Sequence, residues 1–274
     1  MPFCNIGDID LHYEIHGDGF PILFIGGLSA GIPAWEGQIP FFKKHYRCIV
    51  FDNRGAGFSG KPPGPYTIAR MAEDALRLLD CLRVEKALVF SLSMGGMIAL
   101  ELARIVSARL GAMLLGCTHA GGQDRISPLP QAVSLLVNNA GLSREQILKK
   151  NAALLFSEKF RAENWKAIEE HNRMQLSAPF QPEYAFLAQL AAIVQFDCTD
   201  ALRDIRNPVL IVTGTQDVLV PASNSRHLVR SLPNAELIQI PGAGHALHVE
   251  CRDFLNQAVH HFYQKHLAAR TVLL

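Results

Sequence analysis

The chain has 274 residues, enough for one large domain or for one domain that carries an insertion. Its 26 Lys and Arg residues nearly balance its 25 Asp and Glu residues, so no field of one sign gathers nucleic acid or an anionic membrane surface. The six cysteines form no C-x-x-C pair and no zinc-binding spacing, which suggests a reducing compartment. No apolar run reaches the ~18 residues that span a bilayer, and no secretory signal is visible. We expect a cytoplasmic protein without nucleic-acid or membrane partners; the oligomeric state stays open.

Strand and helix patterns alternate through the first 120 residues. The predicted strands lie near 3–6, 9–15, 21–25, 46–51, 87–92 and 112–116, and the predicted helices span 67–82 and 95–106. Continuous apolar strands that alternate with helices indicate a parallel sheet covered on both faces. The first two strands form a hairpin, which adds an antiparallel edge. The predicted fold class is therefore α/β, with a mostly parallel, doubly wound sheet.

The alternation stops between about Gly121 and Asp200. Only helical patterns occur there, at 129–138, 143–156, 158–174 and 182–194, and Ser143 with Gln146 is a helix start signal. Alternation then resumes with strands at 208–214 and 236–240 and helices at 222–232 and 251–266. The sequence thus predicts one core domain, residues 1–120 and 201–274, interrupted by a helical cap, residues 121–200, that acts as a lid.

Ser93 lies at the turn between the predicted strand 87–92 and the helix that follows it. Such a turn strains the backbone of its apex residue and exposes the side chain above the sheet. The residues two before and two after must be small, because strand and helix approach closely there. Ser91 and Gly95 fill these positions, although glycine is usual at both. This degenerate G-x-S-x-G pattern fits a nucleophile elbow and also an ordinary loop, so further residues must decide.

A reactive serine needs a base and an orienting acid, in the chain order Ser, Asp or Glu, His. Asp217 and His245 each follow a predicted strand, so both fall on the same sheet edge as Ser93. The sequence therefore predicts a catalytic triad with Ser93 as nucleophile, His245 as base and Asp217 as acid. Taken alone, Asp217 would more often be a helix cap.

Two further residues follow the strand before the cap. Asp124 is the alternative acid, and His119 is placed to line the same cleft. Asp217 is preferred because it comes directly after a predicted strand.

Acyl transfer also needs two preorganised donors for the tetrahedral oxyanion. The backbone N–H of Met94, directly after the nucleophile at a helix N-terminus, is one candidate. The turn Gly26-Gly27-Leu28-Ser29 after the strand at 21–25 is the other source, and the N–H of Leu28 is the candidate donor there. Without Ser93, the same glycines would indicate only a turn.

These motifs together resemble the α/β-hydrolase superfamily over essentially the whole chain. Residues 52–59 resemble its D-x-R-G-x-G-x-S loop, and Gly244-His245 with Glu250 and Phe254 resembles the stretch around its catalytic histidine. The resemblance implies a structural role for Arg54. Gly26 departs from the pattern, since it stands where the family usually has histidine.

The elbow sequence, residues 92–96, looks most like that of 3-oxoadipate enol-lactonases and small carboxylesterases. Carbon–carbon hydrolases of ring-cleavage products also carry S-M-G-G, and the helical insertion resembles the cap of both groups. Ser93 argues against membership in the groups of this superfamily that use an Asp nucleophile.

The resulting hypothesis is a serine esterase that cleaves a small to medium carboxylic ester or lactone through an acyl-enzyme, with no metal and no organic cofactor. Two alternatives stay open: a hydrolase of carbon–carbon bonds in a ring-cleavage keto acid or β-diketone, and a receptor-like protein that binds a ligand on the same fold. The expected pocket lies between the sheet edge and the cap. The residues proposed for its lining are Trp35, Phe58, Met94, Leu135, Leu136, Phe156 and Leu219, and those proposed as an anchor for a carboxylated substrate are Arg125, Arg144 and Arg161.

Overall fold

Across residues 1–271, which a computed structural model describes, eight strands form one sheet in the order β1-β2-β4-β3-β5-β6-β7-β8. The strands are β1 Phe3–Asn5, β2 Asp10–His16, β3 Phe20–Ile25, β4 Tyr46–Phe51, β5 Ala87–Leu92, β6 Leu110–Gly116, β7 Val209–Gly214 and β8 Ala235–Ile240. Strand β2 pairs antiparallel with β1 and with β4, and every other pairing is parallel. The predicted parallel sheet with an antiparallel N-terminal edge is confirmed.

Helices cover both faces of the sheet. The helices are α1 Ile39–Phe42, α2 Ile68–Cys81, α3 Met94–Val106, α4 Pro130–Val137, α5 Arg144–Leu155, α6 Glu158–Glu163, α7 Trp165–Gln175, α8 Glu183–Gln195, α9 Ser223–Ser231, α10 Leu247–Glu250 and α11 Arg252–Thr271. Side chains alternate across each strand, so Leu23 and Ile25 pack toward α2, α3 and α9, whereas Ile22 and Phe24 pack toward α1 and α11. Burial on both faces explains the continuous apolar strands.

The cap consists of α4 to α8, between β6 and β7. The chain enters and leaves it side by side, because Gly121 pairs with Asp197 and the N–H of Cys198 donates to the carbonyl of Ala120 at 2.9 Å. These pairings lie next to the predicted limits of 121 and 200, which remain our proposal for the domain boundaries.

One helix prediction in the cap is wrong. The single helix expected at 158–174 is divided between α6 and α7 at Asn164, whose φ of −130° leaves the helical region. The described cap therefore has five helices rather than four. The start signal at Ser143 is confirmed as a capping box, in which Ser143 and Gln146 bond to each other's backbone N–H groups.

The segment between β3 and β4 contains elements that the periodicity did not predict. A 3₁₀ turn at Ile32–Trp35 and the short helix α1 lie there, and both are too short for a helical pattern. No helix within residues 1–271 is both long and apolar enough to cross a membrane.

Candidate active site

Ser93 stands at the turn from β5 into α3 in a strained conformation, with φ 55° and ψ −123°. The turn is tight: a Cβ added to Gly95 would lie 2.0 Å from the carbonyl oxygen of Ile25. Ser91 fits where glycine is usual, since it is fully buried and its hydroxyl donates to the carbonyl of Leu114 at 2.5 Å. The local geometry is that of a nucleophile elbow.

Asp217 and His245 are hydrogen bonded to each other. Nδ1 of His245 lies 2.7 Å from Oδ2 of Asp217, whose side chain is fully buried. The other carboxylate oxygen accepts the N–H groups of Leu219 and Val220 at 2.9 and 2.8 Å. These two donors fix the plane of the carboxylate, and the carboxylate in turn orients the imidazole. Asp124 is exposed, so the structure brings Asp217 rather than Asp124 to the histidine.

Cys117 is a neighbour of this pair that the sequence reasoning missed. Its Sγ, a carboxylate oxygen of Asp217 and a ring nitrogen of His245 all lie within 4.8 Å of one another. Complete burial, followed by the charge of Asp217, raises the pKa of the Cys117 thiol well above its usual range. A thiol held in its protonated form suits hydrogen bonding better than metal binding, which needs the thiolate. The available signal was the position of Cys117 directly after β6, because the three residues of the predicted triad also follow strands.

The predicted oxyanion turn, residues 26–29 (the oxyanion loop), lies against Ser93. A Cβ added to Gly27 would be 3.1 Å from Cβ of Ser93. The side-chain amide of Asn53 donates to the carbonyl of Gly26 at 2.9 Å and holds the start of the loop. Its other end, Ser29, has a left-handed φ of 62°. The candidate donor Leu28 thus lies between a fixed glycine pair and a constrained serine, and Met94 opens α3 beside it.

The segment that carries His245, residues 241–246 (the histidine loop), is attached to the cap. The carboxylate of Glu250 accepts the hydroxyl of Ser157 at 2.5 Å and the N–H groups of Ser157 and Gly244, each at 3.1 Å. The N–H of Ala246 donates to the carbonyl of Leu155 at 2.7 Å. Ala246 also packs into the apolar cluster of the cap. The cap and the histidine loop are therefore one packed unit.

The proposed lining residues have different surroundings in the structure. Trp35 is buried in the core against Phe24 and Phe90, so it is part of the packing beneath the sheet edge. Phe156 is buried in the apolar cluster of the cap, and its ring stacks on that of Phe160. Both rings pack within apolar clusters, and their assignment to the substrate pocket stays a prediction.

Three other proposed lining residues lie outside these apolar clusters. Phe58 is 39% exposed, with its ring edge-on to His12. Leu135 belongs to a groove of about 500 Å³ along α4. Leu219 lies beside Asp217, to which its N–H donates, and its assignment to the pocket stays a prediction.

Two of the three cationic residues proposed as substrate anchors have hydrogen-bond partners within the cap. Arg144 donates to the carbonyls of Gln175, Leu176 and Ala178 and so caps the end of α7. Arg125 approaches the carbonyl of Ile193 at 3.5 Å. The guanidinium Nε of Arg161 is buried without a hydrogen-bond partner among the described residues, which leaves Arg161 as the candidate anchor of the three.

His119 and Arg54 have structural surroundings. Burial lowers the pKa of His119 to about 4, and its Nδ1 accepts the N–H of Gly121 at the base of the cap. Arg54 is buried between the carboxylates of Asp74 and Asp8, with its Nε 2.6 Å from Asp74. The structural role that the resemblance implied for Arg54 agrees with this pairing.

This sheet topology and the loops at its carboxyl edge are those of an α/β-hydrolase. The family model for the alpha/beta hydrolase fold matches residues 21–250, and the chain belongs to that family. It is an enzyme of the hydrolase class.

Individual relatives match the chain along nearly its full length. The protein named "Putative carbamate hydrolase RutD" of Azorhizobium caulinodans is 32% identical over 259 residues, which cover 94% of this chain and 96% of that protein. A thermophilic esterase from Thermogutta terrifontis is 29% identical with a TM-score of 0.80, covering 96% of both chains. The enol-lactonase from Burkholderia xenovorans has a TM-score of 0.83 over 95% of this chain and 99% of its own, but at 24% identity it demonstrates only the shared fold.

Proposed function

We propose that this hydrolase cleaves a small to medium carboxylic ester or lactone through an acyl-enzyme on Ser93. The observation that carries the proposal is the 2.7 Å hydrogen bond between Asp217 and His245, at the sheet edge where Ser93 is held in a strained turn. A serine in that conformation, with an imidazole oriented by a buried carboxylate at the same edge, suits nucleophilic attack on an acyl carbon.

In the first half-reaction, Oγ of Ser93 attacks the carbonyl carbon while Nε2 of His245 takes the hydroxyl proton. Asp217 keeps the remaining proton on Nδ1 and stabilises the imidazolium. The carbonyl oxygen becomes an oxyanion that accepts the N–H groups of Leu28 and Met94. Removal of one such donor typically costs roughly 3–4 kcal/mol in the transition state.

Collapse of the tetrahedral intermediate expels the alcohol, which takes its proton from His245. Water then attacks the acyl carbon while His245 takes a proton from it, and the acid is released as Ser93 is reprotonated. In a lactone the alcohol stays attached to the acyl group, so the product is one hydroxy acid.

The relatives support hydrolysis at an acyl carbon. A carbamate and a carboxylic ester both carry an acyl carbon that a serine can attack, so a relative named for carbamates and one named as an esterase favour the same chemistry. A carbamate therefore belongs in the substrate panel beside esters and lactones.

The test is hydrolysis of p-nitrophenyl esters from acetate to octanoate by the wild type and by Ser93→Ala. A fluorophosphonate probe then counts the reactive serines in each protein. The expected result is turnover and one labelled serine in the wild type, with neither in Ser93→Ala. Equal activity of the two proteins would refute the assignment of Ser93.

The two alternatives give different outcomes in the same assays. A carbon–carbon hydrolase converts a ring-cleavage keto acid or β-diketone into an acid plus a ketone or dienoate rather than an alcohol. A receptor-like protein binds its ligand tightly with negligible hydrolysis.

A further inference from the structure

Helix α8 of the cap places one fully buried amide against the oxyanion loop. The side-chain oxygen of Gln189 accepts the N–H of Ser29 at 3.0 Å, and its amide donates to the carbonyl of Arg54 at 2.8 Å. The side-chain amide of Gln181 also donates to Gln189 at 3.0 Å, while Gln181 accepts the hydroxyl of Ser29 at 2.5 Å. The amide of Gln189 is thus bonded on both sides, so its orientation is fixed.

These contacts fall at a strained point of the chain. Ser29 is not glycine, yet it adopts a left-handed φ of 62° and is exposed, so packing alone does not hold it there. Asn53 fixes the other end of the loop through the carbonyl of Gly26. The predicted donor Leu28 lies between the two attachments, one from the core and one from the cap.

We propose that Gln189 is a positioning residue of the oxyanion hole, so that the cap completes the catalytic site as well as covering it. The inference rests on the proposed function, because it concerns the same acyl-transfer site. An oxyanion donor acts only when it is fixed before charge develops, and a small displacement weakens it. Without Gln189, the N–H of Ser29 loses its acceptor and the loop can relax toward an unstrained backbone, which moves the N–H of Leu28.

The test compares two inhibitors that differ only in whether they form an oxyanion. An alkyl trifluoromethyl ketone adds to Oγ of Ser93: the C–O bond forms, the hydroxyl proton passes to His245, and the carbonyl electron pair becomes an alkoxide in the oxyanion hole. The methyl ketone of the same chain length binds the same pocket without appreciable addition. The ratio of the two inhibition constants therefore measures stabilisation of the oxyanion.

Gln189→Leu removes all three hydrogen bonds of the amide at similar volume. Gln189→Met is the second variant, since its unbranched side chain adapts more easily if the leucine does not fold. The matched control is Tyr184→Phe, which removes a hydrogen bond from the same helix to the carbonyl of Lys61 without touching the oxyanion loop. Circular dichroism and thermal unfolding verify that each variant is folded.

We expect Gln189→Leu and Gln189→Met to weaken the trifluoromethyl ketone by roughly 10- to 100-fold and to lower kcat in parallel, while the methyl ketone and KM change by less than about threefold. Tyr184→Phe should leave the ratio at its wild-type value. A folded Gln189 variant with the wild-type ratio, or one that weakens both ketones equally, would overturn the inference.

The assays distinguish a failure of the proposed function from a failure of the inference about Gln189. If the wild type neither hydrolyses esters nor reacts with fluorophosphonate at Ser93, the acyl-transfer assignment itself fails. If the wild type reacts normally and only the ratio is insensitive to Gln189, the assignment stands and this inference is wrong.

Discussion

The sheet side and the cap side of the candidate site are built by different means. On the sheet side, Ser93, Asp217 and His245 follow strands β5, β7 and β8, and backbone geometry places them at one edge. On the cap side, polar side chains join residues far apart in sequence: Gln189 reaches Ser29 across 160 positions, and Glu250 reaches Ser157 across 93. Under the proposed function, the sheet supplies the reacting groups, whereas contacts from the cap position the loops beside them. The two sides should therefore respond differently to substitution.

The largest effect on activity should come from the sheet side, at Asp217, the proposed acid. In Asp217→Asn the remaining amide oxygen can still accept the N–H groups of Leu219 and Val220, but the NH₂ group faces Nδ1 of His245 and favours the wrong tautomer. We expect kcat to fall by about 10⁴-fold while the fold is kept. Steady-state kinetics of Asp217→Asn beside Asp124→Asn measures this. Loss of activity in the Asp124 variant alone would reverse the assignment.

The next largest effect should be on folding, at the elbow. A methyl group in Gly95→Ala would meet the carbonyl oxygen of Ile25, a backbone atom of the central strand β3 that has no room to move. We expect the free energy of unfolding to drop by about 3 kcal/mol or more. The comparison variant is Gly26→Ala, whose methyl group would lie 3.2 Å from Cβ of Ala30, and its loss should stay within about 1 kcal/mol. Denaturant titration distinguishes the two, and equal stabilities would contradict the close approach at the elbow.

A smaller effect on activity should come from the contact between the cap and the histidine loop, at Glu250 of α10, which binds Ser157 of the cap. In Glu250→Gln one oxygen remains for the N–H groups of Ser157 and Gly244 and the NH₂ group faces the Ser157 hydroxyl, so the hydrogen bonds lose the charge of the carboxylate and weaken. We expect kcat to fall by roughly 10- to 100-fold with KM little changed, because the histidine loop shifts while the pocket persists. The exposed Glu236→Gln, whose partner is Lys265, is the control in the same kinetic assay. A change confined to KM would place Glu250 in substrate binding instead.

The smallest effect concerns acid stability where the cap meets the core. Burial lowers the pKa of His171 to about 4, and its ring lies 5.6 Å from that of His248, whose pKa burial lowers to about 3. In the unfolded chain these two imidazoles bind protons near pH 6.5, whereas in the folded chain they stay neutral at that pH. Their protonation therefore leaves the free energy of unfolding unchanged above pH 6.5 and lowers it as the pH falls toward 4.

His171→Phe should remove about 1 kcal/mol of that decline by pH 5.5. The measurement is the free energy of unfolding against pH, with the exposed His261→Asn as control, and only the slopes are compared. A wild-type slope in His171→Phe would show that the buried ring contributes nothing to acid sensitivity.

The sheet and the elbow could be predicted because their signals are local. The strands at 46–51 and 87–92 match the observed β4 and β5 at both ends, since runs of buried apolar residues mark them directly. The predicted order Ser93, Asp217, His245 depends only on which residue follows which strand. The capping box at Ser143 is likewise contained within four residues.

What the sequence did not predict depends on contacts between distant residues. The break at Asn164 lies inside an apparently continuous helical pattern, and the hydrogen bonds of Gln189 and Glu250 leave no trace in residue spacing. Trp35 and Phe156 were proposed for the pocket although aromatic residues suit pockets and cores equally, and residue type alone could not predict that both rings pack in apolar clusters. The proposed triad could therefore be located from the sequence, while its support from the cap could not.

The cap begins and ends at adjacent positions, where Gly121 pairs with Asp197. Evolution can therefore replace this segment with another insertion. An insertion whose ends already touch adds little loop-closure entropy, whatever its length. The sheet can therefore keep its chemistry while insertions of other lengths and compositions are sampled at this point. The attachments of Gln189 and Ser157 limit that freedom, because a transplanted insertion must reproduce both of them or lose the alignment it replaces.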